Sequence, residues 1–342
     1  ITQMSLSPDG ALLAYNVAEA GSDWQVIQCV RTADGSPLSD EIRHVKFSQV
    51  TWHGDGFFYS RFPAVDPTST ETVHNQTVWF HALGTDQATD RLVFENAEDP
   101  DPGYATVKTP DEQYLVLIEW VGTSRANGVL YRPLDDDDAD WARLVEPGKG
   151  QHLVLAHVDG EFVVHTDVKA PNGRIVRIPL DDPTSYVDVV TEADHPIAAA
   201  GAAAGGLWIM SHEQASHRIR LTDLDGTERD VVELPEAGTV SEVNGRFADP
   251  DIYIGFQSFL RPPSALRWRD GDSNLFAGAE IPPSAVDITV ERDHAISSDG
   301  AEVGMFVLRH RAATLPAPVE LYGYGGFTID LTPVFNPCLL YT

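Results

Sequence analysis

Long apolar runs are missing from this chain of 342 residues, so the sequence encodes no helix suited to spanning a membrane. Cysteine is almost missing too. Cys29 and Cys338 stand near opposite ends, so two free thiols are expected in a fold that does not depend on a disulfide. Lysine is scarce, with four among 23 basic residues, and the net charge is −29. A nucleic-acid surface would have to overcome that field, so nucleic acid is excluded as a partner. Acidity with arginine favoured over lysine fits a soluble acidic bacterial protein or a high-salt habitat. The opening ITQMSLSPDG has neither a charged nor an apolar signal region, and it starts in what reads as mid-strand. Helical periodicity is nearly absent throughout.

What the sequence does have is repetition. The turn pairs Asp9-Gly10, Asp55-Gly56, Asp111-Glu112, Asp159-Gly160, Gly205-Gly206 and Asp249-Pro250 are each followed by an apolar strand. Those strands read ALLAY, FFYS, QYLVLIEW, EFVVH, LWIMS and DIYIGF. A second register runs beside the first: VIQCVR, VWFHAL, VLYRPL, IVRIPL, IRLTDL and LRWRD. Both recur about every 45 to 55 residues, the spacing of a four-stranded β-propeller blade. The expected fold is therefore all-β, a propeller with about six blades over residues 1–280. After it the rhythm stops at Pro282 and Pro283. Two longer strands around Ser298-Asp299-Gly300 are expected there, then a buried strand, VELYG, that breaks into a glycine loop.

Local motifs supply no complete catalytic set. No G-x-S-x-G nucleophile elbow occurs, and Ser22 and Ser36 read as turn residues. SHEQASH (Ser211 to His217) has its second histidine one place too far for a zinc helix and reads as a solvated strand-to-strand loop. LDDDDADW (Leu134 to Trp141) lacks the central glycine of a calcium loop and reads as a solvated acidic loop. No phosphate-binding or dinucleotide glycine pattern is present. No metal and no cofactor is expected.

Several segments together resemble the prolyl oligopeptidase family of serine peptidases. They are SPDGALLAY with GSDW, RHVKFS (Arg43 to Ser48), WFHALGTDQATD (Trp79 to Asp90), YIGFQSFLRPPS (Tyr253 to Ser264) and LYGYGGF with FTIDLTPVFNP. The resemblance implies a seven-bladed propeller capping an α/β-hydrolase domain, with residues 281–342 as the first strands of that domain. It implies a cytoplasmic, monomeric enzyme cleaving short peptides after proline, with a periplasmic or secreted location left open. Tyr324 matches the tyrosine whose hydroxyl helps to form the oxyanion hole, Phe327 an aromatic wall of the proline pocket, and Phe47 a propeller ring that contacts substrate. Arg132 stands where some members carry a cysteine near the cavity. The family's triad serine, aspartate and histidine all follow LYGYGGF and fall outside this chain, and the first blade is expected to be missing or incomplete. The chain is thus expected to be a fragment, inactive alone. A stand-alone propeller that binds peptides or proteins without cleaving them is the alternative.

Overall fold

The computed structural model describes every residue except 19–20, 65–72, 325, 327–330 and 341–342. Residues 1–169 and 176–187 form one compact unit, and residues 170–175 and 188–342 form a second. The strands fall into six four-stranded sheets and one hairpin, so the six expected repeats are six blades. The first sheet runs β1 (Gln3–Leu6), β2 (Leu12–Ala18), β3 (Gln25–Arg31) and β4 (Pro37–Val45). The second runs β5 (Thr51–His53), β6 (Gly56–Arg61), β7 (Thr77–Ala82) and β8 (Arg91–Phe94). The third runs β9 (Gly103–Lys108), β10 (Tyr114–Trp120), β11 (Gly128–Pro133) and β12 (Ala142–Val145). The fourth runs β13 (His152–Val158), β14 (Glu161–Thr166), β15 (Arg174–Pro179) and β16 (Val187–Val190).

The second unit holds two complete sheets. One runs β17 (Ile197–Ala203), β18 (Gly206–Glu213), β19 (Ser216–Thr222) and β20 (Glu228–Val231). The other runs β21 (Thr239–Gly245), β22 (Ile252–Gln257), β23 (Ser264–Arg269) and β24 (Asp272–Gly278). Among the described residues the pairings are antiparallel between sequence neighbours, so each sheet is an up-and-down meander.

Each expected turn pair joins the first two strands of a sheet. At the first, the Ser7 hydroxyl donates to the Asp9 carboxylate at 2.6 Å, and that carboxylate accepts the Ala11 N–H at 3.0 Å. At the fourth, Asp159 (φ 50°) and Gly160 (φ 79°) are both left-handed, as a two-residue hairpin turn requires. The strand after the turn is the most buried of its sheet in β6 and β14, and in β10 three consecutive residues, Leu115 to Leu117, are fully buried. Burial on both faces is why FFYS, YLVLI and FVVH read as continuous apolar runs rather than alternating ones.

The cores of the first unit lie between successive sheets. Ala14, Ile27, Cys29 and Ile42 pack on Trp52, Phe57 and Tyr59. Phe58 and Val78 meet Tyr104, Leu115, Leu117 and Leu130, and Val116, Val129 and Leu144 meet Phe162, Val164, Val176 and Ile178. In the second unit, Met210, Ile219 and Leu221 pack on Ile252, Ile254, Phe256 and Trp268. Each such large side chain contributes about 1.5–3 kcal/mol through burial. Side chains also stitch the first strands of neighbouring sheets. Ser5 Oγ donates to the Val50 carbonyl at 3.1 Å, Trp52 Nε1 to that of Ser5 at 3.1 Å, and Thr51 Oγ1 to that of Thr106 at 2.8 Å.

Beyond the sixth sheet, β25 (Ile288–Ile296) and β26 (Glu302–His310) form the expected hairpin around Ser298-Asp299-Gly300. An α/β-hydrolase sheet is not formed among the described residues. The expected buried strand VELYG is likewise no strand: Val319 is 87% and Leu321 91% exposed. An apolar strand needs a neighbour to satisfy its backbone and cover its side chains, and no described strand pairs with this one. No helix among the described residues is long and apolar enough to cross a membrane. Cys29 is buried, Cys338 is exposed, and neither is in a disulfide.

Candidate functional site

The segment Arg43 to Ser48 leaves β4 with two non-glycine residues in left-handed conformation, His44 at φ 62° and Phe47 at φ 54°. Each such residue costs on the order of 1–2 kcal/mol, so the surroundings have to hold it. They do so through the backbone. The His44 carbonyl accepts the Phe62 N–H at 3.0 Å, and the Lys46 carbonyl accepts from buried Gln76 Nε2 at 2.9 Å. The Ser48 carbonyl accepts from buried Asn16 Nδ2 at 2.9 Å, and Ser48 Oγ accepts the Ser60 N–H at 2.8 Å.

The consequence is a displayed ring. Phe47 is 52% exposed and meets Trp120 edge to face, with centroids 5.9 Å apart and planes at 89°. The Lys46 ammonium lies 5.2 Å from the Phe47 centroid and 5.8 Å from that of Trp24. Asp23 pairs with it at 3.2 Å, and Trp24 leans edge-on against Phe62 at 6.2 Å. Exposed Val121 follows Trp120. This surface offers flat apolar rings beside a cation, suited to gripping a peptide rather than to breaking a bond.

A second network fixes β4 from behind. His81 is fully buried between two carboxylates, with Nδ1 2.7 Å from Asp90 and Nε2 3.0 Å from Asp40. The Tyr59 hydroxyl donates to Asp90 at 2.6 Å, and the Gly84 N–H donates to Asp40 at 2.5 Å. Gln87 exchanges two bonds with the Arg43 backbone, at 2.9 and 3.1 Å. Burial opposes a charge on His81, but the hydrogen bonds and charges of Asp90 and Asp40 outweigh it and raise its pKa. Burial, helped by Asp90, likewise raises that of Tyr59. A histidine between carboxylates invites a catalytic reading, yet this ring has no solvent access. The HALGTDQ segment thus anchors the end of β4, one step before Phe47.

Tyr324 is 48% exposed in the second unit. Phe327 lies outside the described residues. Arg132 is buried and faces the acidic loop: Nη1 donates to the Asp137 carbonyl at 2.8 Å, and its head stacks over Trp141 at 5.1 Å. Arg91 joins it on the Asp137 carboxylate at 2.9 Å, so two guanidinium groups occupy LDDDDADW where a cation would sit. SHEQASH is a tight hairpin rather than an open loop. His212 and His217 are cross-strand partners, with rings 4.5 Å apart. Sequence reasoning missed Trp120 and Lys46 as partners of Phe47. The signal for Lys46 and Trp24 lay in their own motifs, but nothing local marks Trp120.

Repeated four-stranded antiparallel blades define a β-propeller. The family model for the prolyl oligopeptidase N-terminal β-propeller domain matches residues 1–269, and the chain belongs to that family. A prolyl endopeptidase of Elizabethkingia meningoseptica is 27% identical over 347 residues, covering 98% of this chain and 48% of the relative. A prolyl oligopeptidase of Omphalotus olearius is 29% identical over 372 residues, covering 98% and 49%. A solved prolyl endopeptidase, studied for inter-domain dynamics in catalysis and specificity, matches at 33% identity and TM-score 0.79, covering 98% and 49%. Prolyl oligopeptidase B of Galerina marginata, solved with a 25-residue macrocyclisation substrate, shares the fold at TM-score 0.87 and 22% identity, covering 98% and 50%. The chain therefore spans about half the length of the relatives it matches.

Proposed function

We propose that this chain is the propeller portion of a serine endopeptidase that cleaves short peptides on the carboxyl side of proline. In this reading the propeller admits short, unstructured peptides and Phe47 holds them. Residues 281–342 lead into the catalytic domain. The observation that carries it is Phe47, held at strained left-handed φ with its ring turned outward, in a chain that matches prolyl oligopeptidases along almost its whole length.

The remaining roles are those the family resemblance implies, and the chemistry is consistent with them. A serine outside residues 1–342 attacks the carbonyl carbon of proline with a histidine as base, and water hydrolyses the acyl-enzyme. The Tyr324 hydroxyl donates to the oxygen that gains charge in the tetrahedral intermediate. Phe327 offers a flat apolar wall to a pyrrolidine ring, which has no donor to satisfy. The chain 1–342, with no G-x-S-x-G elbow, has no peptidase activity of its own.

Incubating the complete protein with a mixture of short peptides and sequencing the products tests the reading. Cuts confined to the carboxyl side of proline support it. Peptide binding without any cut favours a non-catalytic binding module, and cuts after basic residues move the protein to another branch.

A further inference from the structure

We infer that His217 is a positioning residue for the returning chain at residues 332–335, which follows Tyr324 in sequence, acting through β21. The inference rests on the role proposed above for that segment. His217 grips residues 238–240 at two points. Its backbone N–H donates to the Gly238 carbonyl at 3.0 Å, and its ring Nδ1 accepts the Val240 N–H at 2.8 Å. The residue between those two contacts, Thr239, turns to the returning chain. Its Oγ1 lies 2.6 Å from Thr332 Oγ1 and donates to the Pro333 carbonyl at 2.7 Å. Gln257, the cross-strand partner of Thr239, accepts the Phe335 N–H at 3.2 Å. The chain just beyond LYGYGGF is therefore tied to the one strand start that His217 holds.

The hairpin tip has a second hold on the same region. Arg292 of β25 donates to Gln214 Oε1 at 2.6 Å and to Ser216 Oγ at 2.7 Å. Its guanidinium also lies 5.2 Å over the Phe306 ring of β26. The tip itself is a strained turn, with Gln214 at φ 50° and Ala215 at φ 59°. A tip built this way is costly unless it meets something, and it meets β21 and β25.

The His217 ring serves in one protonation state. A backbone N–H donating to Nδ1 needs a lone pair there, so the bound form is the neutral tautomer with its proton on Nε2. A proton on Nδ1 turns that acceptor into a donor facing the Val240 N–H, and the clamp opens. For the same reason the His212–His217 pair makes no metal site while the clamp is closed. One nitrogen of His217 is engaged and the other carries hydrogen.

Titratable and charged groups lie beside the ring on several elements. His212, Glu213 and Arg218 belong to its own hairpin. His195 and Arg292 line the same cavity, of about 390 Å³, together with Val231, Val232 and Leu234. Glu213 is engaged by the Ser211 hydroxyl at 3.0 Å and by Arg218 at 3.4 Å. On the connection to β21, Glu236 is engaged by Ser258 at 2.8 Å and by Arg261 at 3.3 Å.

Amide exchange of the complete protein, read by mass spectrometry over residues 238–241 and 331–336, tests this. Protection is corrected for the intrinsic rate at each pH from about 8 to about 5. Both segments of the wild type should lose protection together, by about tenfold or more, as pH falls. His217→Asn places a non-titrating acceptor where Nδ1 stands and should hold both segments flat with pH. Thr239→Val should weaken 331–336 at every pH while 238–241 still responds. Unchanged protection of 331–336 in the wild type, or the same pH response in His217→Asn, overturns the inference. No substrate enters this readout, so failure to cleave after proline sinks the peptidase reading alone.

Discussion

Phe47 and Trp120 meet edge to face at 5.9 Å from different sheets, and the ring of Phe47 remains half open to solvent. Its left-handed backbone opposes stability, while its exposure fits the peptide-contacting role proposed for it. Phe47→Gly should relieve strain of about 1 kcal/mol and leave the melting temperature equal or higher. The same variant should lose proline-specific turnover. Thermal melts and kcat/KM on one preparation check both halves.

His81 contributes a pH-dependent part of stability. Its folded pKa is raised, because the bonds and charges of Asp90 and Asp40 outweigh the effect of burial. The contribution is therefore fully present below the unfolded value of about 6.5 and is lost as pH rises through the folded one. The melting temperature should fall from neutral to alkaline pH, and His81→Leu should flatten that dependence. Leaving two buried carboxylates unpaired should also cost about 3 kcal/mol or more at neutral pH, read by denaturant unfolding.

The Cys29 thiol is pushed up to about 12 by burial, with Asp40 adding to the effect. It is a weak nucleophile in the folded protein. Thiol titration of the chain 1–342 near pH 8 should find Cys338 reactive and Cys29 protected. Cys29 should react only as denaturant unfolds the first sheet.

Glu119 is buried and accepts from Arg143 Nη1 at 2.6 Å, beside Gly128, where an added Cβ would press on the Glu119 carboxylate. Arg143→Met should strand that carboxylate and cost about 3 kcal/mol. Gly128→Ala should displace the pair and destabilise as well. Urea midpoints of the two variants measure it.

The six blades were legible because their signals are local. A turn such as Ser7-Pro8-Asp9-Gly10 is closed by its own side chains, and a strand such as β6, after the second turn, is apolar because both its faces are covered. VELYG failed for the opposite reason. Its apolar pattern calls for neighbours that the described residues do not supply, so Val319 and Leu321 lie open. SHEQASH was compared with a helix, whereas its hairpin brings positions 212 and 217 opposite each other. Of the site, Phe47 and Tyr324 came from motif resemblance. No propensity rule predicts the left-handed turn that exposes Phe47, and Trp120 joins it only through the folding of another sheet.

The central claim is that the Phe47 surface handles peptides for a proline-specific peptidase. Its most direct test is kcat/KM of the complete protein on a short proline-containing peptide, for wild type, Phe47→Ala and Trp120→Ala. Proline-specific cleavage by the wild type, with each variant down about tenfold or more and still folded, is the predicted result. Turnover after proline that neither substitution changes would contradict the account.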